Sequence, residues 1–241
     1  LGAGISGLAA GIYAQMAGYR STIFEKNAVP GGECTGWDRK GYHIDGCIHW
    51  LTGTNPANPL YKVWEDVGAL GSDVEVYNPE SFCVIETPKG LLHLYNDMDR
   101  LKKHLYEFAP EDQESLEGLY AAIEAIKDSN IPMSPPEMMG PAEIIKMLGA
   151  MKKQGKVLKA WEISLGEYVG RYKNPYLKTL LLSVLPPTQS ASVLPFTLAT
   201  VMTGNGGRPR GGSRAMALRM AEKYKSLGGT LRLNTPVDEI I

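Results

Sequence analysis

Behind a glycine-rich start, Leu8, Ile12 and Met16 recur four residues apart until Gly18 closes the run, so the spacing predicts a helix over residues 5 to 17. The short apolar run Ser21-Thr22-Ile23-Phe24 then ends on Glu25 and reads as a buried parallel strand. From Asn27 to Pro59 glycine and proline recur too often for any helical period, which predicts a long structured excursion of the kind that serves a site. Leu60, Val63, Trp64 and Val67 fall on one face and predict a helix over 60 to 70. Three short strands follow at 74 to 77, 82 to 86 and 91 to 95, the last two joined across Pro88-Lys89-Gly90. An antiparallel sheet separate from the first unit is the simplest arrangement for them.

Residues 97 to 185 carry a mostly helical pattern, broken by Pro110, by Pro132-Met133-Ser134-Pro135-Pro136, and by Pro141 and Pro175. Acids crowd residues 107 to 128 and bases crowd 146 to 178, a split that an evenly solvated surface seldom shows. A glycine-rich turn at 204 to 212 leads into an alanine-rich helix from Ser213 to Leu227. A strand over Thr230 to Leu233 and the start of another over Val237 to Ile241 complete the pattern.

With 25 basic and 26 acidic side chains in 241 residues, the chain has no charge excess with which to grip nucleic acid, and its 44% hydrophobic content excludes disorder. Three cysteines, Cys34, Cys47 and Cys83, have neither framework nor zinc spacing, and Cys34 and Cys47 read as buried small side chains. No stretch of about 18 apolar residues is present. The cysteine usage favours a reducing, intracellular setting, and the expected location is cytoplasmic. Leu1 stands at the end of a first strand that the pattern places before it.

The chemistry begins in the first seven residues. Gly2, Gly4 and Gly7 form G-x-G-x-x-G, which permits a tight turn, lets backbone approach a diphosphate and packs helix closely on strand. Amides at the helix start favour an anion there. Glu25 stands at the end of the next strand, where a carboxylate accepts from the ribose hydroxyls of a bound dinucleotide. A nicotinamide-binding unit continues from that strand into another helix and strand, whereas this chain enters Pro30-Gly31-Gly32-Glu33-Cys34-Thr35-Gly36. Those paired glycines would bring a second set of backbone amides beside the phosphates, which tilts the cofactor to FAD.

With these residues the chain resembles the FAD-dependent amine oxidase and phytoene desaturase superfamily, which also holds carotenoid isomerases and retinol saturases. Glu25, Gly31, Gly32 and Thr35 match its pattern, while Glu33 stands where the family usually places Arg or Lys, leaving Lys26, Arg39 or Lys40 as the nearby cations. Asp45-Gly46 matches an Asp-x-Gly element with Cys47 at the glycine position, and Ile48-His49-Trp50 is similar to a run in retinol saturases. At the other end, Gly211 and Gly212 in Pro209-Arg210-Gly211-Gly212 match a turn that approaches the flavin, and Val237 matches a residue whose main chain meets the adenine. His49 has two readings, a core histidine bonded to a carbonyl or a group facing flavin or substrate.

The resemblance implies an α/β fold with a discontinuous Rossmann-like FAD-binding domain, residues 1–70 and 206–241, and an inserted α+β substrate domain, residues 71–205, of sheet plus helical cap. Within that segment Met133, Met138, Met139, Met147 and Met151 offer adaptable apolar surface. Lys152, Lys153, Lys156 and Lys159 flank Val157, Leu158 and Trp161, which reads either as a core face with solvated lysines or as a peripheral membrane contact. Tyr168, Tyr172 and Tyr176 predict a packed stripe before a tunnel lining. The expected activity is hydride transfer between FAD and a C–C bond of an apolar isoprenoid or polyene, with His49 as the candidate for proton delivery. A flavin amine oxidase and an inactive partial scaffold are the alternatives.

Overall fold

The computed structural model describes residues 1–127 and 136–240; Met133 and its neighbouring prolines 132 and 135 lie outside the described residues, as do the side chains of Lys153, Lys156, Val157 and Leu158. In chain order the elements begin α1 (Ile5–Met16), β1 (Thr22–Phe24), β2 (Gly36–Arg39), β3 (Tyr42–Asp45), β4 (Leu51–Thr52), α2 (Pro59–Asp66) and β5 (Val76–Tyr77). They continue with β6 (Ser81–Thr87), β7 (Gly90–Tyr95), α3 (Met98–Phe108), α4 (Gln113–Ile126), α5 (Pro141–Leu158), α6 (Leu165–Gly170) and α7 (Pro175–Leu182). The last four are α8 (Val193–Met202), β8 (Gly206–Pro209), α9 (Gly212–Ser226) and β9 (Thr230–Arg232). The chain divides into two compact units, one of Leu1–Tyr77 with Gly207–Ile241 and one of Asn78–Gly206.

In the first unit β1 and β9 pair in parallel, Ile23 opposite Leu231, and α1 packs against α9. Gly11 lets that packing close, because a methyl group there would come within 2.8 Å of both Ile23 and Tyr224. Leu8, Ile12, Met216, Ala217, Met220 and Tyr224 fill the space between helices and strands. The Tyr224 hydroxyl donates to the Ser21 carbonyl at 2.7 Å, so this large aromatic is buried with its polar end satisfied. The excursion over 27 to 59 is more ordered than its composition suggests. It holds the antiparallel β2–β3 hairpin, turned at Lys40-Gly41, where both residues have positive φ.

β4, β8 and β5 make a three-stranded sheet in which Val76 pairs with Pro209 and Tyr77 with Arg208. This corrects the expectation that the strand at 74 to 77 joins the following two. Residues 71–77 therefore belong with the first unit, not with 78–206, and part of the expected glycine-rich turn at 204 to 212 is strand β8. The final strand expected from Val237 is absent: 237–240 carry no ladder among the described residues.

In the second unit β6 and β7 form the expected hairpin, Ile85 opposite Leu92. Leu101, Leu105, Leu116, Leu119, Leu177, Leu180, Leu194 and Leu198 make its core together with Leu92 and Leu94. α8 has no counterpart in the sequence pattern, because its residues are apolar on nearly every face and show no period; it packs on α4. Asp112, 2% exposed, accepts from the amides of Lys173 and Asn174 and ties the start of α4 to the start of α7. Tyr168 and Tyr172 form the packed stripe, hydroxyl to hydroxyl at 3.1 Å, with Trp161 stacked on Tyr168.

Candidate cofactor-binding site

The carboxyl end of β1 is where the glycine turn begins. Gly2 donates its amide to the Phe24 carbonyl at 2.8 Å, and the chain then turns directly into α1. Gly7 must be glycine here, since a β-carbon would sit 2.0 Å from the Gly2 carbonyl oxygen. α1 starts at Gly4 without a side-chain cap, so no local group competes for the amides that open the helix.

The second glycine pair returns to this turn. Gly31 donates to the Ala3 carbonyl at 2.7 Å and bridges Gly4, while a β-carbon on Gly32 would approach the Gly4 α-carbon to 3.2 Å. Two stretches separate in sequence thus meet backbone to backbone at the carboxyl end of the parallel β1–β9 pair, the end at which open α/β folds bind their ligands.

Glu25 sits between them and is only 4% exposed. Its carboxylate accepts from the Ala3 amide at 2.7 Å and the Asn27 amide at 2.9 Å. Burial pushes this carboxyl up, but the amides of Ala3 and Asn27 outweigh it and hold it below the usual carboxylate range. The charge therefore braces the glycine turn. Lys26 and Thr35 are exposed beside this frame, and the Thr35 carbonyl accepts from Gly46 at 2.9 Å. Arg39 and Lys40 stand at the far tip of the β2–β3 hairpin and do not replace the cation missing at Glu33. Arg214, which the sequence pattern did not single out, reaches the Gly36 carbonyl at 3.5 Å.

Asp45 is the second brace. Its carboxylate accepts from the hydroxyl and amide of Ser213, the latter at 2.7 Å, and from the amides of Cys47 at 3.0 Å and Ile48 at 3.2 Å. Burial again pushes up, and Ser213, Cys47 and Ile48 together bring the carboxyl down below its ordinary value. Gly212, at φ +66, passes so close that a β-carbon would lie 2.1 Å from this carboxylate, so the Gly211-Gly212 turn and the start of α9 are fixed to the end of β3. Three of the four hydrogen bonds that Asp45 accepts here come from backbone amides, and the fourth comes from the Ser213 hydroxyl.

His49 is exposed, which removes the core reading. Its carbonyl accepts from the Arg208 side chain at 2.9 Å, and its ring stands edge-on to Trp50. With His43, Asp45, Ile48, Arg208, Pro209, Gly211 and Gly212 it lines a pocket of about 500 Å³. His43 also escaped the sequence reading. Its Nδ1 lies 2.8 Å from the Asp38 carboxylate, its partner across the hairpin, a pairing that only the strand register reveals. Val237 is 43% exposed, two residues past Thr235, whose amide donates to the Glu25 carbonyl at 2.8 Å.

The residues present fit a dinucleotide by their chemistry, with uncapped amides at the start of α1, glycine backbone packed beside them and a carboxylate at the strand end. Residues 1–67 match the family described as NAD(P)-binding Rossmann-like domain. Over its full length the chain is similar to a phytoene desaturase (lycopene-forming) from a Paracoccus species, at 26% identity, covering 48% of that protein. It is also similar, at 22% identity and with 41% of the relative covered, to the human all-trans-retinol 13,14-reductase. These matches bear out the resemblance to the desaturase and retinol saturase group. Among solved structures, an oxidoreductase from Methanosarcina mazei shares the fold across all of this chain and 51% of its own, with a TM-score of 0.56 at 19% identity. The chain spans about half the length of the curated relatives it matches.

Proposed function

We propose that this chain is the cofactor-binding part of an FAD-dependent oxidoreductase that acts on C–C bonds of an apolar polyene or isoprenoid, by desaturation, saturation or isomerisation. The observation that supports it most is the return of Gly31-Gly32 onto the Gly2–Gly7 turn. That second backbone wall suits the longer cofactor. FAD, when bound, supplies hydride exchange at its flavin ring. The amides following Gly4 would hold the diphosphate, with Gly31, Gly32 and the Thr35 hydroxyl beside it. Glu25 accepts from the ribose, Lys26 adds positive charge nearby, and the main chain of Val237 meets the adenine. Asp45 holds Gly211 and Gly212 in the conformation that meets the flavin, and His49 delivers the proton. An amine substrate has less behind it, since the named curated relatives are carotenoid and retinoid enzymes.

A membrane surface is the proposed source of that substrate. On α5, Ile145, Leu148 and Met151 are 71%, 55% and 59% exposed, with Lys146 and Lys152 exposed among them. That face suits the headgroup boundary of an anionic bilayer approached from the cytoplasm. No helix among the described residues is long and apolar enough to cross one.

Titration of the purified chain with FAD, followed by flavin fluorescence quenching and the visible absorption spectrum, tests the reading. Saturable binding of FAD that NADH does not displace is expected. Tight NADH binding with no uptake of FAD would overturn it.

A further inference from the structure

Cys34 and Cys47 lie 13 residues apart in sequence, and their sulfurs are 3.8 Å apart. The β2–β3 register explains the meeting. Gly36 pairs with Asp45, Gly46 donates to the Thr35 carbonyl one step further, and the next step sets Cys34 opposite Cys47. The ladder itself ends at Gly36–Asp45, and the two thiols meet just beyond it, close enough for a bond to form with a small side-chain rotation. The two thiols differ in access. Cys34 is 8% exposed and Cys47 is open to solvent, against the sequence expectation that both are buried.

We propose that Cys34 and Cys47 form a reversible disulfide, with Cys47 as the entry thiol and Cys34 as the resolving one. The oxidant is a low-molecular-weight disulfide such as glutathione disulfide. The Cys47 thiolate attacks one of its sulfurs, the glutathione S–S bond breaks, and one glutathione leaves. The Cys34 thiol gives its proton to solvent and attacks the Cys47 sulfur, which releases the second glutathione. Two protein thiols are oxidised, one small disulfide is reduced, and the two protons end on the glutathione thiols.

The order follows from the environment. Burial first, then the hydrogen bond and charge of Cys47, with Asp45 and Glu33, push the Cys34 thiol up to about 12. Burial thus keeps Cys34 from being the entry thiol and leaves the exposed Cys47 to react first. The linkage joins the segment after Gly31-Gly32 to the segment that Asp45 and Ser213 hold, since Ile48 donates to the Ser213 hydroxyl at 2.8 Å. It would therefore clamp those two segments together, and it stands whether or not the chain takes FAD.

The test incubates the whole chain with glutathione disulfide, alkylates under denaturing conditions and maps peptides by mass. Wild type should show a Cys34–Cys47 linked peptide, two hydrogens lighter, with Cys83 alkylated, a higher melting temperature than the reduced form, and full reversal by excess glutathione. Cys34→Ser should trap a glutathione adduct on Cys47, and Cys47→Ser should leave Cys34 free; circular dichroism checks that both fold, with Cys34→Ala in reserve. A wild-type chain that keeps the Cys47 adduct beside a free Cys34 thiol would overturn the proposal, as would equal reaction of all three cysteines. Closure of the linkage in a chain that binds no flavin would refute the cofactor reading alone.

Discussion

The two units hold their chains by different means. In the first, backbone meets backbone at Gly4, Gly7 and Gly32, Gly212 passes against the Asp45 side chain, and the carboxylates of buried Glu25 and half-buried Asp45 gather the amides left over. In the second, leucines of α3, α4, α7 and α8 pack together, and Asp112 is a rare buried acid among them. Close backbone approach demands one residue type, whereas a leucine core accepts any apolar side chain of similar volume. The first unit is thus intolerant of side chains where its main chain packs, and the second tolerates any that fill the same volume.

That contrast predicts opposite mutational behaviour, and the largest effects should come first. Gly7→Ala places a methyl group 2.0 Å from the Gly2 carbonyl, so the turn must open. FAD affinity should fall by at least about a hundredfold, which is about 2.7 kcal/mol. Leu116→Ala, at a fully buried site of α4, should cost about 2 to 5 kcal/mol of stability and leave affinity unchanged at 25 °C. Fluorescence titration and urea unfolding, run on both variants, check the pair. Equal loss of affinity in both would erase the distinction.

Acid should separate the units next. Glu25 and Asp45 both have carboxyls held below their ordinary values, so the stability they confer is complete above the unfolded carboxylate range, about pH 4 to 5. It is lost as pH falls through the lower, folded-state values. The first unit should therefore loosen on acidification, seen as exchange of the Ala3, Ser213 and Ile48 amides, while amides of α4 stay protected. Asp45→Ala should cost about 2 to 3 kcal/mol at neutral pH and flatten this acid limb. Unchanged stability between wild type and Asp45→Ala across pH 3 to 7 would show that the brace is inert.

The same contrast explains what the sequence disclosed. The Gly2–Gly7 turn, Glu25 and the Gly31-Gly32 pair are legible because their identities are forced, and α1, β1, α9 and β9 follow from short periodic runs. What escaped needed register or burial. His43 faces Asp38, and Cys34 faces Cys47, only once the hairpin pairing is known. β5 pairs with β8 across a gap in sequence that local pattern does not bridge. α8 is apolar all round and so has no period to find. Asp112 was hidden among the acids Glu111, Glu114 and Glu117, although it alone of these is buried. That Asp45 also clamps Ser213 could not be read from local pattern, because the two residues are 168 positions apart.

Glu33 gives the smallest and sharpest test, since it is exposed and changes neither a glycine contact nor the leucine core. It follows Gly32 directly, on the wall that the proposed diphosphate faces, and Arg214 is the side chain that brings positive charge to the nearby Gly36 carbonyl. Exposed charges act weakly and through solvent, so Glu33→Arg should tighten FAD binding only about two- to fivefold at low ionic strength. Glu33→Gln should give about half of that gain in free energy, and both gains should vanish in about 0.5 M salt, where the Debye length falls to roughly 4 Å. A gain that survives salt would mean that the introduced guanidinium bonds the cofactor directly, and no gain at all would place the phosphates away from the Gly31-Gly32 wall. Thermal stability should stay within about 0.5 kcal/mol in every case, because this site belongs to the ligand-facing backbone and not to a core.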